Sequence, residues 1–237
     1  MIDLNCDIGE GIGNDEAIMP YITSANIACG YHAGDEYTMK RTVELSIKFN
    51  VAIGAHPSYF DRENFGRSEV NISAEQVYIL VKDQIQILKK ITEESKAVLQ
   101  HVKPHGALYS KSAKDVNVAR GIAKAVKDID EDLVLFGLSG SYSISEAKNL
   151  GLKTRSEVFA DRTYQDDGSL TPRAKTNALI EEEEKSIQQV LQMINEGVVT
   201  TVSAKKIPII AETICIHGDG KNAVQFAKRL NEVLKVK

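Results

Sequence analysis

The stretch Asp3-Leu4-Asn5-Cys6-Asp7 decides the fold. Successive side chains of a strand point to opposite faces, so Asp3, Asn5 and Asp7 share one face and Leu4 and Cys6 the other. Polar inward and apolar outward is the pattern of a barrel strand, with a filled lumen on one side and helices on the other. Working outward, short apolar runs recur at 2–7, 25–30, 51–56, 98–102, 133–138, 154–159 and 213–217. Polar segments of helical period lie between them. Residues 35–49 open on Asp35 as an N-cap and place Met39, Val43 and Ile47 on one face, and 73–91 opens on a Ser73/Gln76 capping box. Residues 113–126, 180–194 and 223–234 also read as helices. Strands alternating with helices pair in parallel through right-handed crossovers. Seven such units in 237 residues predict an α/β fold, a TIM-like (β/α) barrel of seven strands forming a single domain over 1–237. A flavodoxin-like open sheet is the alternative, and it too would put function at the strand ends.

Composition excludes more than it selects. The net charge of −4, with Lys and Arg scattered, argues against nucleic acid as a partner. No apolar stretch reaches the ~18 residues that span a bilayer, and the chain starts on Asp3, Asn5 and Asp7 rather than a basic and hydrophobic leader, so we expect a cytoplasmic protein with no membrane partner. Cys6, Cys29 and Cys215 each sit in an apolar run and read as reduced core thiols.

All five histidines fall at the downstream end of an apolar run: His32, His56, His101, His105 and His217. That concentration reads as an active-site rim. The turn DIGEGIG (7–13) brings Asp7 and Glu10 to the mouth of the lumen, where the pair suits general-base or metal work as well as capping. Parity aligns Asn26 with His32, His101 with Lys103 and His105, Glu157 with Asp161, and Cys215 with His217 and Asp219. Lys103 between two histidines predicts a lowered ammonium pKa and a cationic cluster able to stabilise an oxyanion or phosphate. Two long loops supply anion-binding candidates, Arg62 and Arg67 in AHPSYFDRENFGR (55–67) and Arg162 and Arg173 in EVFADRTYQDDGSLTPR (157–173). Asp219 is placed to orient His217 or to cap the last helix. No Walker cradle, HExxH, CxxC, HxH or GxSxG occurs. A divalent metal stays open, with Asp7, His32 and His105 as the first ligand set to test.

DLNCDIGEG, NIACGYHAGD, AHPSYFD with FGR, HVKPHGALY, EVFADRTY and CIHGD, in that order, resemble the LamB/YcsF family along nearly the whole chain. Phe60 and Ser68 depart from its usual proline and second arginine. The resemblance implies a barrel similar to those of glycoside hydrolases and deacetylases. It also implies an ATP-dependent 5-oxoprolinase activity, in which 5-oxo-L-proline is opened to L-glutamate together with two other subunits, with a homo-oligomer left open. Mapped onto this chain, Asp7 or Glu10 is the base and His32 shuttles a proton. Lys103 and His105 stabilise charge, and Arg62 or Arg162 holds the substrate carboxylate. Asn26, His56, Arg67, Asp161 and His217 complete the substrate pocket. Because a nucleotide cradle is lacking, ATP is expected to be activated largely at the partner subunits. The rival readings are a metal-dependent amide or carbohydrate deacetylase and a non-catalytic, ligand-binding regulatory subunit.

Overall fold

The computed structural model describes residues 2–218 and 223–235. Seven strands form a closed, parallel barrel in the order β1 (Asp3–Ile8), β2 (Ser24–Ala28), β3 (Ala52–His56), β4 (Leu99–Val102), β5 (Val134–Leu138), β6 (Lys153–Phe159) and β9 (Thr213–His217). A two-stranded antiparallel hairpin, β7 (Val198–Thr200) and β8 (Lys206–Pro208), sits outside the barrel between β6 and β9. The helices are α1 (Asp15–Ile18), α2 (Glu36–Phe49), α3 (Ala74–Glu94), α4 (Gly106–Lys114), α5 (Val116–Ile129), α6 (Tyr142–Asn149), α7 (Glu183–Glu196) and α8 (Ala223–Leu234).

Local sequence sets most of these boundaries. Asp35 accepts a hydrogen bond from the Thr38 amide, and Ser73 and Gln76 form the expected reciprocal capping box. Such caps each contribute about 1 kcal/mol. Along α3, Val77, Val81, Ile85 and Leu88 are fully buried at helical spacing. Each contributes about 1.5–3 kcal/mol by leaving water. The helix expected over 113–126 is instead two. Asp115 is extended (φ −119°, ψ 110°), and its carboxylate caps the amides of Asn117 and Val118, ending α4 and starting α5. The short helices α1 and α6 and the β7–β8 hairpin carry too little periodicity to be read from sequence.

The β1 parity holds. Leu4, Cys6 and Ile8 are buried in the apolar core, whereas Asp3, Asn5 and Asp7 are buried among polar lumen groups. Asp3 Oδ1 accepts from the hydroxyls of Thr23 and Ser24 at 2.7 Å. One layer up, Asn5 donates to Thr213 Oγ1 at 2.6 Å. Asn26 then bridges Asn5 Oδ1 and Asp7 Oδ1 at 2.7 and 2.8 Å, and accepts from His101 Nε2 at 2.8 Å. His101 lies across the lumen at Gly54, where an added Cβ would come within 2.0 Å of its ring. A buried polar ladder of this kind is tolerated only because its members satisfy one another. It fixes the height and orientation of the side chains at the C-terminal mouth.

Candidate active site

At that mouth the strand ends and three loops enclose a cleft of about 300 Å³, the size of a small-molecule site. Its walls include Asp7, Glu10, His56, Arg67, Lys103, His105, Arg162 and His217, eight of the twelve site residues expected from sequence. Lys103 lies at the centre and is almost fully buried. Its Nζ donates to Asp7 Oδ1 at 2.7 Å and lies 3.0 Å from both Cys215 Sγ and Glu157 Oε1. Neither Glu157 oxygen makes a geometrically good hydrogen bond. Burial disfavours the ammonium, but the charges of Asp7 and Glu157, with the hydrogen bond to Asp7, outweigh it and hold the Lys103 pKa well above the usual lysine range. The expected depression of this lysine is therefore reversed. Burial also works against the Asp7 charge, yet His56 and Lys103 hold its carboxyl well below the carboxylate range. The Cys215 thiol is pushed up by burial despite Lys103, so a thiolate nucleophile is disfavoured.

Three of the histidines, His32, His101 and His105, are neutral rather than cationic. Burial pushes His32 and His101 down to about 3 and His105 well below the histidine range. The cationic cluster expected from His101, Lys103 and His105 is thus a single ammonium among neutral rings. His101 faces down the lumen to Asn26 and stacks on Phe136, while His105 faces His56 across 2.8 Å. His32 stacks parallel on His105 with centroids 3.8 Å apart and lies 3.1 Å from Glu10 Oε1. Gly66 (φ +66°) permits this layering, since a Cβ there would sit 2.9 Å from both His32 and His105. Glu10, His32, His56 and His105 present ligand atoms within 4.8 Å of one another, and Asp7, Cys215 and His217 form a second such group. The first is a Glu/His set able to hold a divalent metal. The ligand set expected from sequence is divided between the two, because Asp7 turns toward Lys103 and Asn26.

Around the rim, the arginines differ in their commitments. Arg62 is exposed, and its Nη1 donates to the carbonyls of Gly30 and Gly34 at 2.6 and 2.9 Å, so it clasps the loop after β2 and stands apart from the cleft lining. Arg162 is buried, with its Nε and Nη2 on the carbonyls of Ala178 and Thr171. Burial, aided by Arg173, lowers its pKa to about 10, which leaves it charged at neutral pH. Arg67 lies over the Phe65 ring at 4.9 Å, and Arg173 joins the lining. His217 Nδ1 lies 2.8–2.9 Å from both oxygens of Asp161. Asp161 thus orients this imidazole, while Asp219 lies outside the described residues. Glu157 and Cys215, which touch Lys103, and Tyr109, which lines the cleft, are residues that sequence reasoning did not place in the site. Inward parity pointed to Glu157 and Cys215, but nothing in the sequence shows that both meet a lysine on a distant strand.

All three cysteines are buried and unpaired in disulfides. No helix among the described residues is long and apolar enough to cross a membrane. A relative from Geobacillus kaustophilus, named as one of the subunits of 5-oxoprolinase, is 52% identical over 99% of this chain and 93% of its own length. The crystal structure of a lactam utilization protein from Thermus thermophilus superposes with a TM-score of 0.91 at 38% identity, covering 99% of this chain and 96% of that one. A family 4 carbohydrate esterase from Streptomyces lividans, 11% identical with a TM-score of 0.50 over 99% of this chain and 87% of its own, shares the fold alone. The LamB/YcsF family model matches residues 2–237, and the chain belongs to that family.

Proposed function

We propose that this chain is the lactam-opening component of an ATP-dependent 5-oxoprolinase, converting 5-oxo-L-proline to L-glutamate as ATP becomes ADP and phosphate. The observation that carries the reading is the buried Lys103 ammonium, held between Asp7 and Glu157 in a small cleft walled by imidazoles. A lactam carbonyl is a poor electrophile. Transfer of the ATP γ-phosphoryl to its oxygen, which we assign to two partner subunits, turns that oxygen into a leaving group. Water then adds to the ring carbon, the carbon–nitrogen bond breaks with protonation of the nitrogen, and a second water releases phosphate from the acyl phosphate. Those steps require an acceptor for the water proton, positive charge at the developing oxyanion, a proton donor to nitrogen and a cation for the carboxylate.

Each requirement has a residue at the cleft. Asp7 and Glu10 are the proton acceptors, and His32, against Glu10, relays the proton. Lys103 and His105 face the oxyanion and phosphate. Arg162, with Arg67 and Arg173 at the rim, receives the substrate carboxylate, a role from which Arg62 is removed by its carbonyl clasp. Asn26 and His56 position Asp7, through 2.8 and 3.3 Å contacts, and His217 held by Asp161 stands ready to give a proton. One observation favours a second reading: the Glu/His set would also suit a metal-dependent amide or carbohydrate deacetylase. Incubation of the chain and its partners with 5-oxoproline and ATP separates the two. Equal yields of glutamate and ADP are expected. Acetate release from acetylated sugars by the chain alone, without ATP and abolished by chelation, would favour the deacetylase. Calorimetry of ATP against the chain alone is expected to show no tight binding.

A further inference from the structure

The hydrogen bonds on the outer edges of the histidine cluster determine where its protons lie. His56 Nδ1 lies 2.7 Å from the Lys103 carbonyl and His105 Nε2 lies 2.9 Å from the Phe65 carbonyl. A carbonyl oxygen can only accept, so both of these ring nitrogens carry the hydrogen. The Ser58 hydroxyl donates to the Tyr59 carbonyl at 2.9 Å, so it accepts from His32 Nδ1, also 2.9 Å away. A ring that carries a single hydrogen then has a bare lone pair on its other nitrogen. Those three lone pairs, His32 Nε2, His56 Nε2 and His105 Nδ1, converge on the Glu10 carboxylate. His56 Nε2 and His105 Nδ1 are 2.8 Å apart, acceptor against acceptor.

Such a cluster requires positive charge at its centre, supplied by a shared proton or a cation. A proton on the line between His56 and His105 would satisfy that pair alone. The Glu10 oxygen stands 3.4 Å from His105 Nδ1 and 3.9 Å from His56 Nε2, too far for hydrogen bonds to either. The three separations instead surround the edge length of about 3.3 Å expected between ligands set tetrahedrally around an ion at ~2.0–2.1 Å. Outer N–H groups anchored on carbonyls are also how metal-ligating imidazoles are oriented. His32 is excluded from direct ligation. Its ring is parallel to His105 within 5°, and two parallel stacked rings cannot both aim in-plane lone pairs at one ion. Glu10, His56 and His105 all line the cleft, so the remaining coordination position opens toward substrate.

We infer that Glu10, His56 and His105 form a binding site for one divalent cation of the zinc class, with His32 as a positioning residue stacked on His105 and one position open to the cleft. With the cation bound, Glu10 is a ligand and Asp7, 3.3 Å from His56 Nε2, is the carboxylate left to accept a proton. The inference deepens the function proposed above only in taking this cleft as the reaction site, and it is tested without turnover, so the two can fail separately. The full chain, stripped with a chelator, is titrated with Co²⁺ and its visible spectrum recorded, with Zn²⁺ then added in competition. One Co²⁺ per chain, with intense absorption of a four- or five-coordinate centre that Zn²⁺ abolishes, is expected. Glu10→Gln and His105→Gln, each checked for native thermal unfolding, are expected to weaken Co²⁺ binding by more than about 100-fold. A folded wild-type chain that gives only the weak spectrum of hydrated Co²⁺ would overturn the assignment. So would tight binding retained by both variants.

Discussion

Replacing Lys103 with Met removes an ammonium from between two buried carboxylates while keeping the length of the side chain. Asp7 then loses a 2.7 Å charged hydrogen bond and Glu157 its 3.0 Å ion contact. Asp7 retains Asn26, whereas Glu157, fully buried, retains no hydrogen-bonded partner. Breaking a buried ion pair from one side costs about 3–5 kcal/mol, and the variant is expected to lose that amount of unfolding free energy at pH 7. Adding Glu157→Gln removes the uncompensated charge and should restore part of the loss, so the two substitutions are non-additive. Turnover behaves differently. Loss of a preorganised positive charge at the oxyanion is expected to lower kcat by about 10²–10³-fold, and the second substitution should not restore it. Denaturant unfolding of the single and double variants, paired with glutamate release in the reconstituted complex, checks both arms. A stability loss below about 1 kcal/mol in Lys103→Met, or wild-type glutamate release, would refute the reasoning.

Three further expectations concern the groups around that lysine. His101 is held neutral down to about pH 3, whereas in the unfolded chain it titrates near 6.5, so the unfolded state binds more protons between those values. Stability therefore falls as pH drops below 6.5, by about 2 kcal/mol at pH 5 from His101 alone, and denaturant unfolding of His101→Gln should show that part of the slope removed. Gly54→Ala drives a methyl into the His101 ring, at 2.0 Å from its nitrogen, and is expected to cost about 3 kcal/mol or more, read as a lowered Tm. Asp161→Asn removes the charge that orients His217. It should lower kcat about 10–100-fold and flatten the pH–rate profile, with little change in Tm.

The barrel was legible because its evidence is local. Seven apolar runs matched the seven barrel strands, and alternation within residues 3–7 revealed the lumen, since parity depends only on backbone geometry. The break at Asp115 was hidden because a capping carboxylate and a helix-interior one look alike until the backbone is seen. Naming the strand-end residues was also within reach of the sequence, but assigning their charge states was not. The pKa of Lys103 is set by Asp7 and Glu157, which arrive from other strands, and linear order carries no sign of how far each of them stands from its ammonium. Burial, likewise invisible in a linear motif, makes His32, His101 and His105 neutral. Arg62 lies in a motif yet is spent on two carbonyls, and Asp161 reaches His217 across 56 positions of sequence.

The measurement that bears most directly on the central claim is glutamate formed per ATP consumed in the reconstituted enzyme, with this chain omitted, supplied as wild type, and supplied as Asp7→Ala. We predict one glutamate per ADP with the wild-type chain, no glutamate without it, and none above background with Asp7→Ala. Undiminished glutamate from the partners alone, or from the Asp7→Ala complex, would contradict the placement of lactam opening in this cleft.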